Sequence, residues 1–200
     1  MKKWGCLLAI TLFFAASGSP AKAGDWQPGQ AQRMYYGLGL GMSLLNYNET
    51  NIINSFAAVN TTSSFNNDDF TFKLFGGYRF DPFLALEFGV SELGSTVATT
   101  SGSSTKLFDI YTAFVNATLT HSYNNKARLL GKIGTHFWRI STDSTNKLAT
   151  GADLALGACL EFNLYDNSNR VIQVEWNRYM FDNIYLDASN SLMLSLVLKQ

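Results

Sequence analysis

Tyr36-Gly37-Leu38-Gly39-Leu40-Gly41-Met42-Ser43-Leu44 is the stretch on which the fold turns. Large apolar side chains hold every even position and glycine or serine every odd one. That period of two is useless to a helix, but a strand displays it as one oily face and one nearly bare face. Leu154, Leu156, Ala158, Leu160, Phe162 and Leu164 repeat the pattern against Asp153, Ala155, Gly157, Cys159, Glu161 and Asn163, and Leu192, Leu194, Leu196 and Leu198 repeat it again. Strands of soluble sandwiches run to about 5–6 residues. These alternations persist for about 9–12, enough for a tilted strand to cross a bilayer.

Working outward, eight such segments are expected, near 34–45, 69–80, 83–93, 107–119, 128–141, 152–164, 170–181 and 185–198. An even number suits a closed bacterial barrel. The connections alternate in character: a long polar one at 46–68, a tight Asp81-Pro82, a Ser/Thr-rich one at 94–106, then 121–127, 142–151, 165–169 and 182–184. Short connections are periplasmic and long ones extracellular in such barrels, which puts both chain ends on the periplasmic side. Aromatic residues gather at segment ends and are expected to form two interfacial girdles. One would hold Tyr35, Tyr36, Tyr78, Phe80, Phe83 and Tyr165, the other Trp138, Tyr179, Phe181 and Tyr185. Segment 107–119 breaks the pattern, because Phe108, Ile110 and Phe114 share one parity while Val115, Ala117 and Leu119 share the other. A bulge or a shifted boundary is expected there.

The first residues carry a different signal. Lys2 and Lys3 precede an apolar run from Trp4 to Ala16, and Ala21-Lys22-Ala23 has the small-x-small form of a cleavage site. Residues 1–23 therefore read as a signal peptide cut between Ala23 and Gly24, with 24–33 a short periplasmic segment and 34–200 the barrel. The run of 13 residues falls short of the roughly 20 that a membrane helix needs. Later in the chain no apolar run approaches that length, so a membrane-embedded form has to be built from strands.

The whole chain of 200 residues is 46% hydrophobic and has zero formal net charge. Losing Lys2, Lys3 and Lys22 with the leader lowers the basic count from 15 to 12 against 15 acidic residues, and no basic patch suggests nucleic acid. Cys159 is then the sole cysteine, so no internal disulfide can hold the exported protein together.

Lys73-Leu-Phe-Gly-Gly-Tyr-Arg79-Phe, a two-residue turn and Leu84-Ala-Leu-Glu87-Phe-Gly-Val-Ser-Glu-Leu-Gly94 resemble the second and third strands of the outer membrane protein A-like barrels, a pattern shared with opacity-type surface antigens. Val174-Glu175-Trp176 resembles that family's penultimate strand and Leu192–Leu198 its closing strand. The resemblance covers about residues 34–198 and implies an all-β, eight-stranded, antiparallel up-and-down transmembrane β-barrel. It implies Sec export to a Gram-negative outer membrane, contact with outer-membrane lipid and lipopolysaccharide, and assembly by periplasmic chaperones and the barrel assembly machinery. Two departures are expected to matter. The chain reads Leu198-Lys199-Gln200 where the family usually ends on an aromatic residue used in assembly, and no peptidoglycan-binding domain follows the barrel.

If the leucines face lipid, Lys73, Arg79, Glu87, Lys132, Asp153, Glu161, Gln173 and Glu175 face the lumen, which eight strands leave just wide enough for side chains to fill. Lys73, Arg79, Glu87, Lys132, Glu161 and Glu175 are the expected lumenal charge network, with Lys73, Lys132, Glu87 and Glu175 at its centre. The first expectation for function is a structural and surface-interaction role, serving envelope integrity and adhesion, with loop 46–68 offered to a host or envelope partner. The alternative is a narrow ion or small-solute channel gated by that network. A lipid A-modifying enzyme is the third class. It finds no G-x-S-x-G elbow, and a nucleophile, base and orienting carboxylate would have to lie on the lipid-facing wall, whereas His136 has lumenal parity. His121, His136 and Cys159 make no metal-ligand spacing, and no cofactor is expected.

Overall fold

The computed structural model describes residues 34–56, 63–80, 82–100, 102–122, 126–142, 147–164 and 169–200. The expected signal peptide, its Ala23–Gly24 cleavage point and the 24–33 segment lie outside the described residues. Eight long strands dominate: β1 (Met34–Tyr47), β2 (Asp68–Arg79), β3 (Leu84–Thr100), β4 (Ser103–Ser122), β5 (Ala127–Ser141), β6 (Lys147–Asn163), β7 (Arg170–Met180) and β8 (Leu186–Lys199). Each pairs antiparallel with its sequence neighbours, and β1 pairs with β8, so the sheet closes on itself. Closure removes both edges, the one sheet arrangement whose backbone is satisfied in hydrocarbon.

The wall follows the alternation. Leu38, Leu40, Met42 and Leu44 on β1 are 47–58% exposed on the outside, as are Leu192, Leu194 and Leu196 on β8 at 49–62%, where lipid rather than water meets them. Inward on β1 stand the glycines, and their missing side chains have a purpose: a Cβ on Gly37 would come within 2.4 Å of Phe75 Cζ, and one on Gly77 within 2.2 Å of Tyr35 Cζ. The narrow lumen is filled by rings from one strand occupying space vacated on the next.

Two expectations need correction. The Ser/Thr-rich stretch 94–106 is no loop: β3 runs to Thr100 and β4 starts at Ser103, so their hairpin rises beyond the membrane. Inward positions Thr96 and Ala98 stay buried while Ser95, Val97 and Thr99 are half-buried, and because neither set holds large apolar side chains the hydrophobic alternation disappears from the sequence, while threonine keeps its preference for strands. From Phe108 to Leu119 the parity holds, but Leu107 and Phe108 are both buried. Phe108, Ile110 and Phe114 are buried inward, and Val115 and Leu119 face out at 43% and 59%. Two irregularities interrupt the β3–β4 pairing, one between Glu92 and Gly94 on β3 and the other the expected bulge, at Leu107, which is passed over where Thr96 and Val97 pair with Phe108 and Lys106. Gly94 takes φ +99° at the first of these, and Asp69 Oδ2 anchors it by accepting from Ser95 N at 2.6 Å and Ser95 Oγ at 2.8 Å.

The girdles also differ. Phe80 and Phe83 are 57% and 68% exposed at the periplasmic end, but Trp138, Tyr179 and Phe181 are buried in the lumen, and so is Tyr35. Phe70, Tyr111 and Phe137 are the rings facing outward near the extracellular side, at 43–59%. Trp138 shares parity with Lys132 and His136, so proximity to a strand end was the wrong criterion and alternation the right one.

Candidate functional site

Lys73 on β2, Glu87 on β3, Lys132 on β5 and Glu175 on β7 project from four sides of the barrel into its centre. Each cation meets both carboxylates. Lys73 Nζ lies 3.0 Å from Glu87 Oε1 and also bonds Glu175 Oε1. Lys132 Nζ lies 3.0 and 2.9 Å from the two Glu87 oxygens and bonds Glu175 Oε2. Side-chain exposure is 0–1% throughout. Desolvating such ions costs several kcal/mol each, and alternating two cations with two anions is what makes the burial tolerable.

Further contacts complete the shell. Asn177 Nδ2 donates to Glu175 Oε1 at 2.6 Å, and the Tyr35 hydroxyl reaches Glu87 Oε2 at 3.5 Å. Lys73 Nζ stands 4.5 Å from the centre of the Phe75 ring and 4.8 Å from that of Phe114, and Lys132 Nζ stands 5.4 Å from Phe75. The ring faces carry the negative end of the aromatic quadrupole, so they take the sides of the cations that carboxylates leave open.

Glu161 and Arg79 do not join this cluster. Glu161 forms a second tier towards the periplasm, where its Oε1 meets Lys199 Nζ at 2.5 Å and Arg128 Nη1 at 3.4 Å, and its Oε2 accepts from Gln173 Nε2 at 3.0 Å. Arg79 donates from Nη1 to the Pro82 carbonyl at 3.5 Å. Arg128 and Lys199 were absent from the expected network although the signal for them existed. Arg128 has the parity of Lys132, and Lys199 alternates with the outward Leu192–Leu198 set.

The extracellular end is apolar. Leu45, Leu93, Phe108, Ile110, Trp138, Ile140, Phe181 and Leu186 form one buried cluster. Loop 46–68 closes it: helix α1 (Glu49–Ser55), capped by Asn48, sets Ile52 into the mouth with 0% exposure. Phe56 packs beside α1 against Phe108 and Tyr185 at centroid distances of 6.1 and 5.9 Å, and Asn51 Nδ2 donates to the Ile184 carbonyl at 2.7 Å. Ser64–Asn66 adds a short strand to β3. No sequence pattern pointed to this stopper, because seven residues with one buried isoleucine, Ile52, and a half-buried Ile53 give too short a period to read.

His136 lies between the two zones, fully buried. Its Nε2 is 2.6 Å from the Met180 carbonyl, which can only accept, so Nε2 carries the hydrogen and Nδ1 accepts from Thr112 Oγ1 at 3.1 Å. With both nitrogens engaged and Tyr179 and Phe181 at 5.2 and 5.0 Å, the ring is held in place inside the wall, away from the lipid face.

Comparison with known proteins agrees with this architecture. The fold is similar to that of the attachment invasion locus protein Ail of Yersinia pestis, at 17% identity over 84% of this chain and 98% of that one, with a TM-score of 0.52. Neisserial surface protein A matches at 13% identity over 84% and 97% of the two chains with a TM-score of 0.54. The N-terminal barrel domain of Pseudomonas aeruginosa OprF matches at 11% over 84% and 100%, with a TM-score of 0.51. At these identities the likeness is one of fold. No curated protein matches the sequence. A family model described as "Outer membrane protein beta-barrel domain" matches residues 7–199. The resemblance to outer membrane protein A-like and opacity-type barrels is thus borne out, and the chain belongs to the outer membrane protein beta-barrel family, with the outer membrane as its location and lipid around its wall.

Proposed function

We propose that the protein is a closed barrel with a structural and surface-interaction role, contributing to envelope integrity and presenting its extracellular connections, chiefly residues 46–68, to a host or envelope partner. The observation that carries this reading is the filled lumen, with the four-charge cluster at its centre and Ile52 sealing an apolar chamber above it. Export through the Sec pathway on the 1–23 leader, cleavage between Ala23 and Gly24, chaperone escort and insertion by the barrel assembly machinery belong to the same proposal. So does the absence of enzymatic activity, which the inward, doubly engaged His136 supports.

Planar-bilayer recording tests it. The reading expects no reproducible openings from the refolded protein and none from Glu87→Gln or Glu175→Gln. Openings whose conductance changes in those variants would replace it with the gated-channel alternative. Replacing residues 49–55 by a Gly/Ser linker should leave a heat-modifiable barrel while reducing attachment of expressing cells to host surfaces or envelope components.

A further inference from the structure

Among the described residues, the cations that point into the periplasmic mouth of the lumen outnumber the carboxylates paired with them. Arg79 from β2, Arg128 from β5 and Lys199 from β8 all point inward there, with Arg79 and Lys199 each 7% exposed and the Arg128 side chain 13%. Among the described residues, the carboxylate paired with them is Glu161, which holds Lys199 at 2.5 Å and Arg128 at 3.4 Å. Arg79 has no carboxylate partner among the described residues, and its guanidinium reaches the Pro82 carbonyl at 3.5 Å. The three cations lie within electrostatic reach of one another. Like charges crowded at a narrow, poorly hydrated opening raise the free energy of the barrel unless an anion joins them.

A second observation points the same way. Thr120, inward on β4 at this end and 6% exposed, has a hydroxyl oxygen with no hydrogen-bond partner among the described residues. A buried hydroxyl left unmatched is uncommon in a packed interior, and here it has a donor hydrogen to offer. The inward position between Arg79 and Thr118 is filled by Ala85, whose side chain has no polar group to partner the guanidinium.

We propose that this mouth is a binding site for a phosphate group, held by Arg79, Arg128 and Lys199 with the Thr120 hydroxyl as a further donor. Guanidinium groups present paired N–H donors that match two phosphate oxygens, and the ammonium of Lys199 adds a point charge. Glu161 remains as the orienting partner of Lys199 and Arg128. The opening faces the periplasm and adjoins the inner leaflet, so the phosphate arrives either as a soluble ion or as the headgroup of an anionic phospholipid.

The test uses the refolded protein in alkyl-maltoside micelles. Its thermal midpoint is read by heat-modifiable gel migration and circular dichroism, either with orthophosphate against chloride at matched ionic strength, or with and without phosphatidylglycerol in the micelles. A rise of about 5 °C at a hundred-fold excess over the dissociation constant is expected in at least one arm. A response to orthophosphate alone assigns a soluble ligand, and a response to phosphatidylglycerol alone assigns the headgroup. Either response should vanish in Arg79→Gln and in Arg128→Gln. Without phosphate, Arg79→Gln should melt no lower than the parent, because it removes a repelling cation; a merely structural arginine would leave the variant weaker. No rise in either arm, or a rise of equal size in both variants, overturns the proposal.

Discussion

Gly37 and Phe75 face each other across the β1–β2 pair, and the ring of Phe75 lies where a Gly37 side chain would be, 2.4 Å from an added Cβ. The same ring forms the floor beneath Lys73 and the flank of Lys132, so an intrusion at Gly37 displaces a group that two buried cations use. Gly37→Ala should therefore destabilise the barrel by about 1–3 kcal/mol, the usual cost of overpacking. Gly131→Ala is the control, since an added Cβ there meets nothing within 4 Å, and it should change stability by no more than about 0.5 kcal/mol. Urea-unfolding midpoints in detergent compare the two; equal effects would mean that the Phe75 ring yields freely.

The central cluster makes a prediction about coupling. Lys132→Met leaves Glu87 and Glu175 facing each other with Lys73 as their remaining central cation, and should cost about 3–5 kcal/mol through an uncompensated buried charge. Removing one anion as well, in Lys132→Met/Glu175→Gln, restores neutrality, so the pair should cost less than the sum of the single variants. A double-mutant cycle on unfolding free energies reads the difference directly. Simple additivity would show that the four groups act independently despite their contacts.

Ile52 should behave as a local stopper rather than as part of the global fold. It is fully buried, yet among the described residues its helix meets the barrel at the mouth, through the apolar cluster, the Asn48 N–H bond to the Tyr185 carbonyl and the Asn51 bond to Ile184. Ile52→Ala should raise the rate of proteolytic cleavage within 46–68 while the barrel keeps its heat-modifiable migration, because local opening and global unfolding draw on different contacts. Loss of heat-modifiable migration in this variant would mean that the stopper is required for closure of the barrel itself.

The eight-stranded wall was legible because each crossing repeats one rule, and its boundaries fell within a few residues wherever apolar alternation marked them. It failed where the environment stopped imposing that rule. Above the membrane, Ser95–Ser104 lost the alternation though the strands continue. At the extracellular end of the lumen, Phe108, Ile110, Trp138 and Phe181 turned apolar side chains inward, which alternation alone reads as a slip or as a girdle. The central charges were legible individually, since a lysine or glutamate opposite a leucine row must face the lumen. Which charge meets which was not, because Lys73 and Glu175 are 102 positions apart and become neighbours only when the barrel closes. Parity also marked Arg128 and Lys199, whose strand ends were read for boundaries rather than for lumenal charge.

The lipid-facing band should show its depth in energies. Leu194 lies midway along β8, opposite Leu40 on β1 and Val174 on β7, with apolar outward neighbours on both sides. Leu44 lies near the upper end of β1, opposite Asn190 and Asp68, where the wall turns polar. An arginine at the bilayer midplane costs about 2–4 kcal/mol and one near the interface about 0–1 kcal/mol, since the longer path to water must be met by thinning or snorkelling. Leu194→Arg should therefore weaken the barrel by about 2–4 kcal/mol and Leu44→Arg by less than about 1 kcal/mol, measured by reversible unfolding in phospholipid vesicles. Equal penalties would place both leucines at one depth and require a different tilt of β1 and β8 in the bilayer. A cost confined to Leu44→Arg would mean that the midplane crosses the upper third of the wall rather than its middle.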